Sequence, residues 1–285
     1  MTIQSSSDLL PTLQQLIRPI DSHKGLYGSV AILGGATGMI GAALLAGRAA
    51  LHLGVGKIWI GLLDERLLVD PTQPELMIVA ANQLLKQKPS HLLIGPGLGQ
   101  SQQATELLHS CLVSNLPLVL DADALNLIAQ EAEFKSLLHT RAAETIITPH
   151  PAEAARLLQR STEAVQAQRE QAVKTLSKDF CCHAILKGSN TLIAHQDEVW
   201  INTSGNSALS SAGQGDVLSG IVLALLAQGL SAIEASCCAV YLHGSAADSW
   251  RKKHPNGIGL TASETLLLVR EELNQQLNLS KNIAK

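Results

Sequence analysis

Pro117-Leu118-Val119-Leu120-Asp121-Ala122-Asp123-Ala124-Leu125-Asn126 and Thr145-Ile146-Ile147-Thr148-Pro149-His150-Pro151-Ala152-Glu153 share one pattern: a short aliphatic, β-branched run that turns polar within a single residue. The second stretch leads on into apolar positions at helical spacing over 152–158. Similar runs recur at 29–33, 57–62, 91–94, 183–186, 191–194 and 199–201, and each of them, like 117–120 and 145–148, predicts a strand. Helical spacing recurs at 39–53, 102–114, 162–177, 217–227 and 231–250. Strands alternating with helices mean an α/β fold. Because several runs are almost wholly apolar, their strands are expected to be buried on both faces, in a mostly parallel central sheet with helices on both faces. Ligands should gather where such strands end.

The whole chain is 285 residues, 46% hydrophobic and 16% charged, too apolar and too weakly charged for a disordered polymer. No repeat or Pro/Gly/Ser linker divides it, so a single domain over 1–285 is expected. A net charge of -3 leaves no positive field to hold nucleic acid or an acidic membrane, and only 3 Trp, 2 Tyr and 2 Phe are available for base stacking. The apolar run 217–227 is interrupted by Ser219 and Gly220 and is shorter than the ~18 residues that suggest a spanning helix. No apolar signal core follows a charged N-terminus. The five cysteines include two adjacent pairs and no C-x-x-C, which reads as reduced thiols in a cytoplasm. Neither H-E-x-x-H nor a paired-cysteine zinc pattern occurs, so no protein-bound metal is assigned.

Several strand ends carry chemistry. Gly35, Gly38 and Gly41 form a G-x-x-G-x-x-G that could approach a pyrophosphate, face a substrate, or serve only to pack a strand against a helix. A short-chain reductase would also need Y-x-x-x-K, whereas Tyr27 is followed by Ala31 and Tyr241 by Ser245. Ala212-Gly213-Gln214-Gly215-Asp216 places a carboxylate among glycines at a helix start. Its exposed N–H groups could hold a transferring phosphate, and Asp216 could be the base for the attacking hydroxyl, or simply an N-cap. Asp121 and Asp123 could bind a metal or shape a turn. His150, stiffened between two prolines, could aim its ring at a ligand, and Glu153 could complete a first helical turn. Lys187-Gly188-Ser189-Asn190-Thr191 joins two strands, either as a plain hairpin turn or with the ammonium on a nucleotide phosphate. It is not a P-loop, because G-x-x-x-x-G-K-[ST] is missing.

These motifs in this order, together with Pro74-Glu75-Leu76-Met77 and Gly95-Pro96-Gly97-Leu98-Gly99, resemble the ADP/ATP-dependent NAD(P)H-hydrate dehydratases, a branch of the ribokinase-like kinases. The likeness runs from about Lys24 to Asn274, and the D-A-D-A-L-N and T-P-H-P-x-E pair is its most specific part. The resemblance implies a ribokinase-like fold and repair of hydrated NADH or NADPH, with ADP or ATP as co-substrate and Mg²⁺ on the nucleotide. It implies that Ala42, Gly97, His150 and Asp216 line the hydrate pocket, with Asp216 as catalytic base. Lys187, Gly188, Ser189, Asn190, Thr191, Gly213 and Gly215 would hold the nucleotide. A homo-oligomer is the family habit. The chain departs from the family's N-P-G-M-A-T-G-G, carrying Asn206-Ser207-Ala208-Leu209-Ser210-Ser211-Ala212-Gly213 there, which bears on loop stiffness and nucleotide preference. Only about two dozen residues precede Lys24, so the N-terminal epimerase domain of many relatives is not expected. The alternatives are a small-alcohol kinase of the hydroxyethylthiazole-kinase kind and a catalytically inactive nucleotide-binding module.

Overall fold

The computed structural model describes residues 3–283. Its strands are β1 (Gln4–Ser5), β2 (Ser29–Gly34), β3 (Lys57–Leu62), β4 (Met77–Ala80), β5 (His91–Ile94), β6 (Leu118–Leu120), β7 (Thr145–Ile147), β8 (His183–Leu186), β9 (Leu192–His195) and β10 (Glu198–Ile201). They form one sheet in the order β1-β10-β9-β8-β7-β6-β5-β2-β3-β4. Only β8–β9 and β9–β10 pair antiparallel, and the remaining neighbours are parallel. The expected strands are all present, with ends moved by at most one residue. This mostly parallel sheet with helices on both faces is the architecture expected from the sequence.

The helices are α1 (Ile40–His52), α2 (Gln102–Leu112), α3 (Asp123–Gln130), α4 (Ala132–Thr140), α5 (Pro151–Leu158), α6 (Thr162–Ala167), α7 (Arg169–Asp179), α8 (Gln214–Ala227), α9 (Ala232–Lys253) and α10 (Ala262–Ile283). Alternate residues of the central strands divide between two cores, as a pleated sheet requires. Ile32, Leu93, Val119, Ile146 and Ile185 face α1, α8, α9 and α10, whereas Leu33, Ile94, Leu120, Ile147 and Leu186 face α2 to α7. Full burial of each such side chain contributes about 1.5–3 kcal/mol, so both faces are anchored.

Two expectations need correction. The segment 162–177 is not one helix: it breaks at Gln168 (φ -135°, ψ 50°), which leaves the helical region. The break turns Arg169 onto the end of β8, where its guanidinium donates to Leu186 O at 3.1 Å and Lys187 O at 3.3 Å. Three helices, α3, α4 and α10, and two edge strands, β1 and β4, form where no regular element was expected.

The parallel strands put the polar ends of β2, β5, β6, β7 and β8 at one edge of the sheet. Neighbouring ends are stitched together there: Gly35 N–H donates to Pro96 O at 3.0 Å, Thr148 N–H to Leu120 O at 3.0 Å, and Lys187 N–H to Pro149 O at 2.9 Å.

Candidate active site

At that edge lies a charged centre. Asp121 follows β6 and is 1% exposed, and the Nζ of Lys187, at the end of β8, donates to its Oδ1 at 2.8 Å. The same ammonium stands 3.9 Å from Glu153 Oε2. Ala122, next to Asp121, takes φ +49°, a costly conformation for an alanine that lets its N–H donate to Asp121 Oδ1 at 2.9 Å. Asp123 Oδ2 accepts from Gly99 N–H at 2.9 Å, which ties the glycine-rich end of β5 to the same centre. Burial works against the charge of Lys187, but Asp121 and Glu153 outweigh it and its pKa lies above that of an ordinary lysine.

Asp216 sits in the first turn of α8. Burial, then the nearby charge of Asp121, push its carboxyl up to about 7, against the partial relief given by Lys187. The capping alternative for this residue does not hold: the N-cap of α8 is Gly213, at φ +84°, and no side chain caps the helix. Only glycine adopts that backbone without strain. The first-turn N–H groups of Gln214, Gly215 and Asp216 precede any intrahelical acceptor and remain free for an anion. Gly215 stands beside Lys187, since a Cβ on it would lie 3.4 Å from Nζ.

His150 caps its own helix. Its Nδ1 accepts the N–H groups of Ala152 (3.0 Å) and Glu153 (3.4 Å), and Glu153 Oε2 accepts from His150 N–H at 2.8 Å, a reciprocal cap on α5. Burial, and next Lys187, keep the imidazole pKa low, and burial raises that of Glu153. The ring therefore serves its own helix, with Nε2 3.3 Å from Glu153 Oε1, while the side chain stays half-exposed on the cavity.

That cavity, of about 610 Å³, is lined by His150, by Lys187, Gly188, Ser189, Asn190 and Thr191, and by Gly215. The turn after β8 is thus both a connection between antiparallel strands and a cavity wall. Its far wall is the segment 202–211, held by α9: Asp248 accepts from Gly205 N–H and from Asn206 Nδ2, each at 2.8 Å. Gly213 lies beneath this wall, against Leu45 and Ala262. Ala42, in α1, and Gly97, after β5, do not line this cavity but stand against each other. Gly97 has φ +58°, and a Cβ there would come within 2.5 Å of Met39 O and 3.2 Å of Ala42 Cβ, so the close approach requires glycine. Sequence reading gave no role of its own to Gln214, which stands within the Gly213–Asp216 motif, nor to His243 and Asp248, which lie in none of the motifs.

Taken with this geometry, the comparisons are decisive. A family model described as NAD(P)H-hydrate dehydratase matches residues 30–267. The chain belongs to the NAD(P)H-hydrate dehydratase family. It is 43% identical over 253 residues to the ADP-dependent (S)-NAD(P)H-hydrate dehydratase of Neisseria meningitidis serogroup B, covering 87% of this chain and 85% of that protein. The crystal structure of the ADP/ATP-dependent NAD(P)H-hydrate dehydratase of Bacillus subtilis, co-crystallized with ATP/Mg²⁺, superposes with a TM-score of 0.84 at 30% identity, over 97% of this chain and 99% of that one. Against the bifunctional NAD(P)H-hydrate repair enzyme of Coxiella burnetii, identity is 40% over 81% of this chain but only 47% of the longer protein. The chain thus aligns with the dehydratase family over most of its described residues, including the charged centre.

Proposed function

We propose that the protein restores NADH or NADPH from its hydrate, using ADP or ATP to remove water. The observation that carries this reading is the uncapped start of α8, with Asp216 beside Lys187, in a chain of this family. Hydroxide is a poor leaving group, whereas a phosphorylated hydroxyl departs readily. Asp216, as carboxylate, takes the hydroxyl proton while that oxygen forms a bond to the terminal phosphorus of the nucleotide and the bridging P–O bond breaks. Free N–H groups of Gln214, Gly215 and Asp216, with the ammonium of Lys187, stabilise the charge on the moving phosphoryl group. The C–O bond then breaks with both electrons going to phosphate, the ring nitrogen supplies electrons to the carbon, and loss of a proton from the adjacent carbon regenerates the dihydronicotinamide.

In this reading Ala42, Gly97 and the outer edge of His150 face the hydrate, while Lys187, Gly188, Ser189, Asn190, Thr191, Gly213 and Gly215 face the nucleotide. Asp121 and Glu153 offer hard oxygen donors beside the phosphate position. That suits an Mg²⁺ that keeps most of its waters and arrives on the nucleotide, and among the described residues no cluster of three His, Cys, Asp or Glu side chains forms a protein-only cage. When bound, Mg²⁺ neutralises nucleotide charge. The described cysteines are all unpaired, in keeping with a cytoplasmic enzyme.

The test is to quantify nucleotide consumed, free phosphate and NADH regenerated in one reaction, with mass spectrometry for phosphorylated organic products. One phosphate per NADH is expected. An accumulating phosphoester without recovered NADH would establish a kinase instead.

A further inference from the structure

His243 lies in the middle of α9, 7% exposed, on the wall of the same cavity as Gln214, and the chemistry above makes no use of it. Its Nε2 is 3.2 Å from Oε1 of Gln214, whose Nε2 donates to Ser211 Oγ at 3.1 Å, and Ser211 in turn donates to Leu260 O at 2.8 Å. The direction of this chain is fixed from its far end. The Leu260 carbonyl can only accept, so the Ser211 proton goes to it and the Ser211 oxygen accepts the Gln214 amide N–H. The carbonyl of Gln214 is then turned to His243, which must donate through Nε2–H. Burial, with Lys187 nearby, lowers the His243 pKa to about 4 and keeps the ring neutral. Nε2–H is a donor in either protonation state, so the bond is not a pH switch.

Gln214 is the first residue of α8, followed by Gly215 and Asp216. At α5 and α9 a side-chain cap fixes the helix start. At α8 the cap residue is a glycine with no side chain to offer, so the turn is held instead through Gln214, from α9 on one side and Ser211 on the other. We propose that His243 is a positioning residue whose N–H, acting through Gln214, orients the first turn of α8 and with it Gly215 and Asp216 against Lys187. The proposal rests on the reading of α8 as the phosphoryl site.

Three variants test it, with turnover measured as nucleotide-dependent return of NADH and ADP affinity by calorimetry. His243→Leu keeps the bulk and removes the donor, Gln214→Leu cuts the same bond from the other end, and His243→Gln restores an N–H. Each leucine variant should lose roughly 10–100-fold in kcat, the scale of one buried hydrogen bond that holds reacting groups in place, with KM for the hydrate little changed. The double variant should be no worse than the poorer single one, and His243→Gln should stay within about threefold of wild type. Wild-type-like kcat in His243→Leu, losses that multiply in the double variant, or no rescue by His243→Gln would overturn the proposal. If His243→Leu does not fold by circular dichroism, Gln214→Leu decides, supporting the tether by its loss or overturning it by wild-type turnover. A wild type without any turnover would instead sink the dehydratase reading. ADP titration would then carry the tether test: both leucine variants should bind roughly 10-fold more weakly and the double variant no more weakly than the poorer single one, whereas unchanged binding, or losses that multiply as independent contacts would, count against it.

Discussion

Helices α5 and α8 both begin beside Lys187, and both carry an acid at the third helical position, Glu153 in one and Asp216 in the other. They resolve the same problem in opposite ways. In α5 the ring of His150 accepts two of the free N–H groups and Glu153 returns a bond to His150 N–H, so the chain satisfies its own helix start. In α8 the cap is Gly213, no side chain reaches back, and the N–H groups stay open. Glu153 is tied back to its own helix start through Oε2, whereas Asp216 makes no bond to its cap residue. A helix N-terminus that the chain leaves unsatisfied, next to a cation and a carboxylate shifted to about 7, is where phosphoryl chemistry fits.

The strongest way to break this contrast is Asp216→Asn. The amide keeps the shape but cannot accept the proton, so turnover should fall roughly 10²–10⁴-fold or more while nucleotide affinity, measured by calorimetry, changes little. Activity within a few-fold of wild type would make the two acids equivalent.

Lys187→Ala comes next, since the ammonium touches both helix starts. Nucleotide binding should weaken roughly 10–100-fold, the range for a hydrogen bond to a charged group, and hydrate binding much less. Separate titrations with each ligand check this, and equal losses would point to general damage.

The pH dependence sharpens the contrast further. With Asp216 at about 7, the carboxylate form is populated above that pH, so kcat should rise with pH and level off beyond it. Below it, kcat should drop about tenfold per unit. Glu153→Gln should keep this limb, moved slightly to lower pH by the loss of a neighbouring negative charge. A carboxyl raised on folding costs stability as pH climbs from its unfolded value near 3.8 through about 7, so Asp216→Asn should melt no lower than wild type at pH 8. A flat rate profile, or a marked fall in melting temperature for that variant, would contradict the assignment.

The smallest effect belongs to the satisfied helix. His150→Ala should cost about 1 kcal/mol of stability through the lost cap, read as a drop of a few degrees in melting temperature. Its effect on turnover should be far smaller than that of Asp216→Asn.

Much of this contrast could be read from the sequence, and the missing parts have physical causes. The strands announced themselves because fully buried parallel strands are runs of aliphatic residues, as at His91–Ile94 and His183–Leu186. Edge strand β4 is an aliphatic run too, Met77-Ile78-Val79-Ala80, but it is short and only partly buried, and the strand expectations above leave it out. The polar ends Asp121, His150 and Lys187 were visible as motifs, but their mutual contacts join residues 66 apart in the chain for Asp121 and Lys187. Whether Asp216 capped its helix could not be read either, because the answer lies in the φ of Gly213. His243 looked like one more residue at helical spacing, and only the fold brings it to Gln214, 29 residues earlier.

The central claim is tested most directly by incubating the protein with hydrated NADH and following the dihydronicotinamide absorbance on addition of ADP or ATP. The absorbance should stay low without nucleotide and return when nucleotide is added, with free phosphate released in equal amount. Nucleotide consumption with no return of absorbance would contradict the claim.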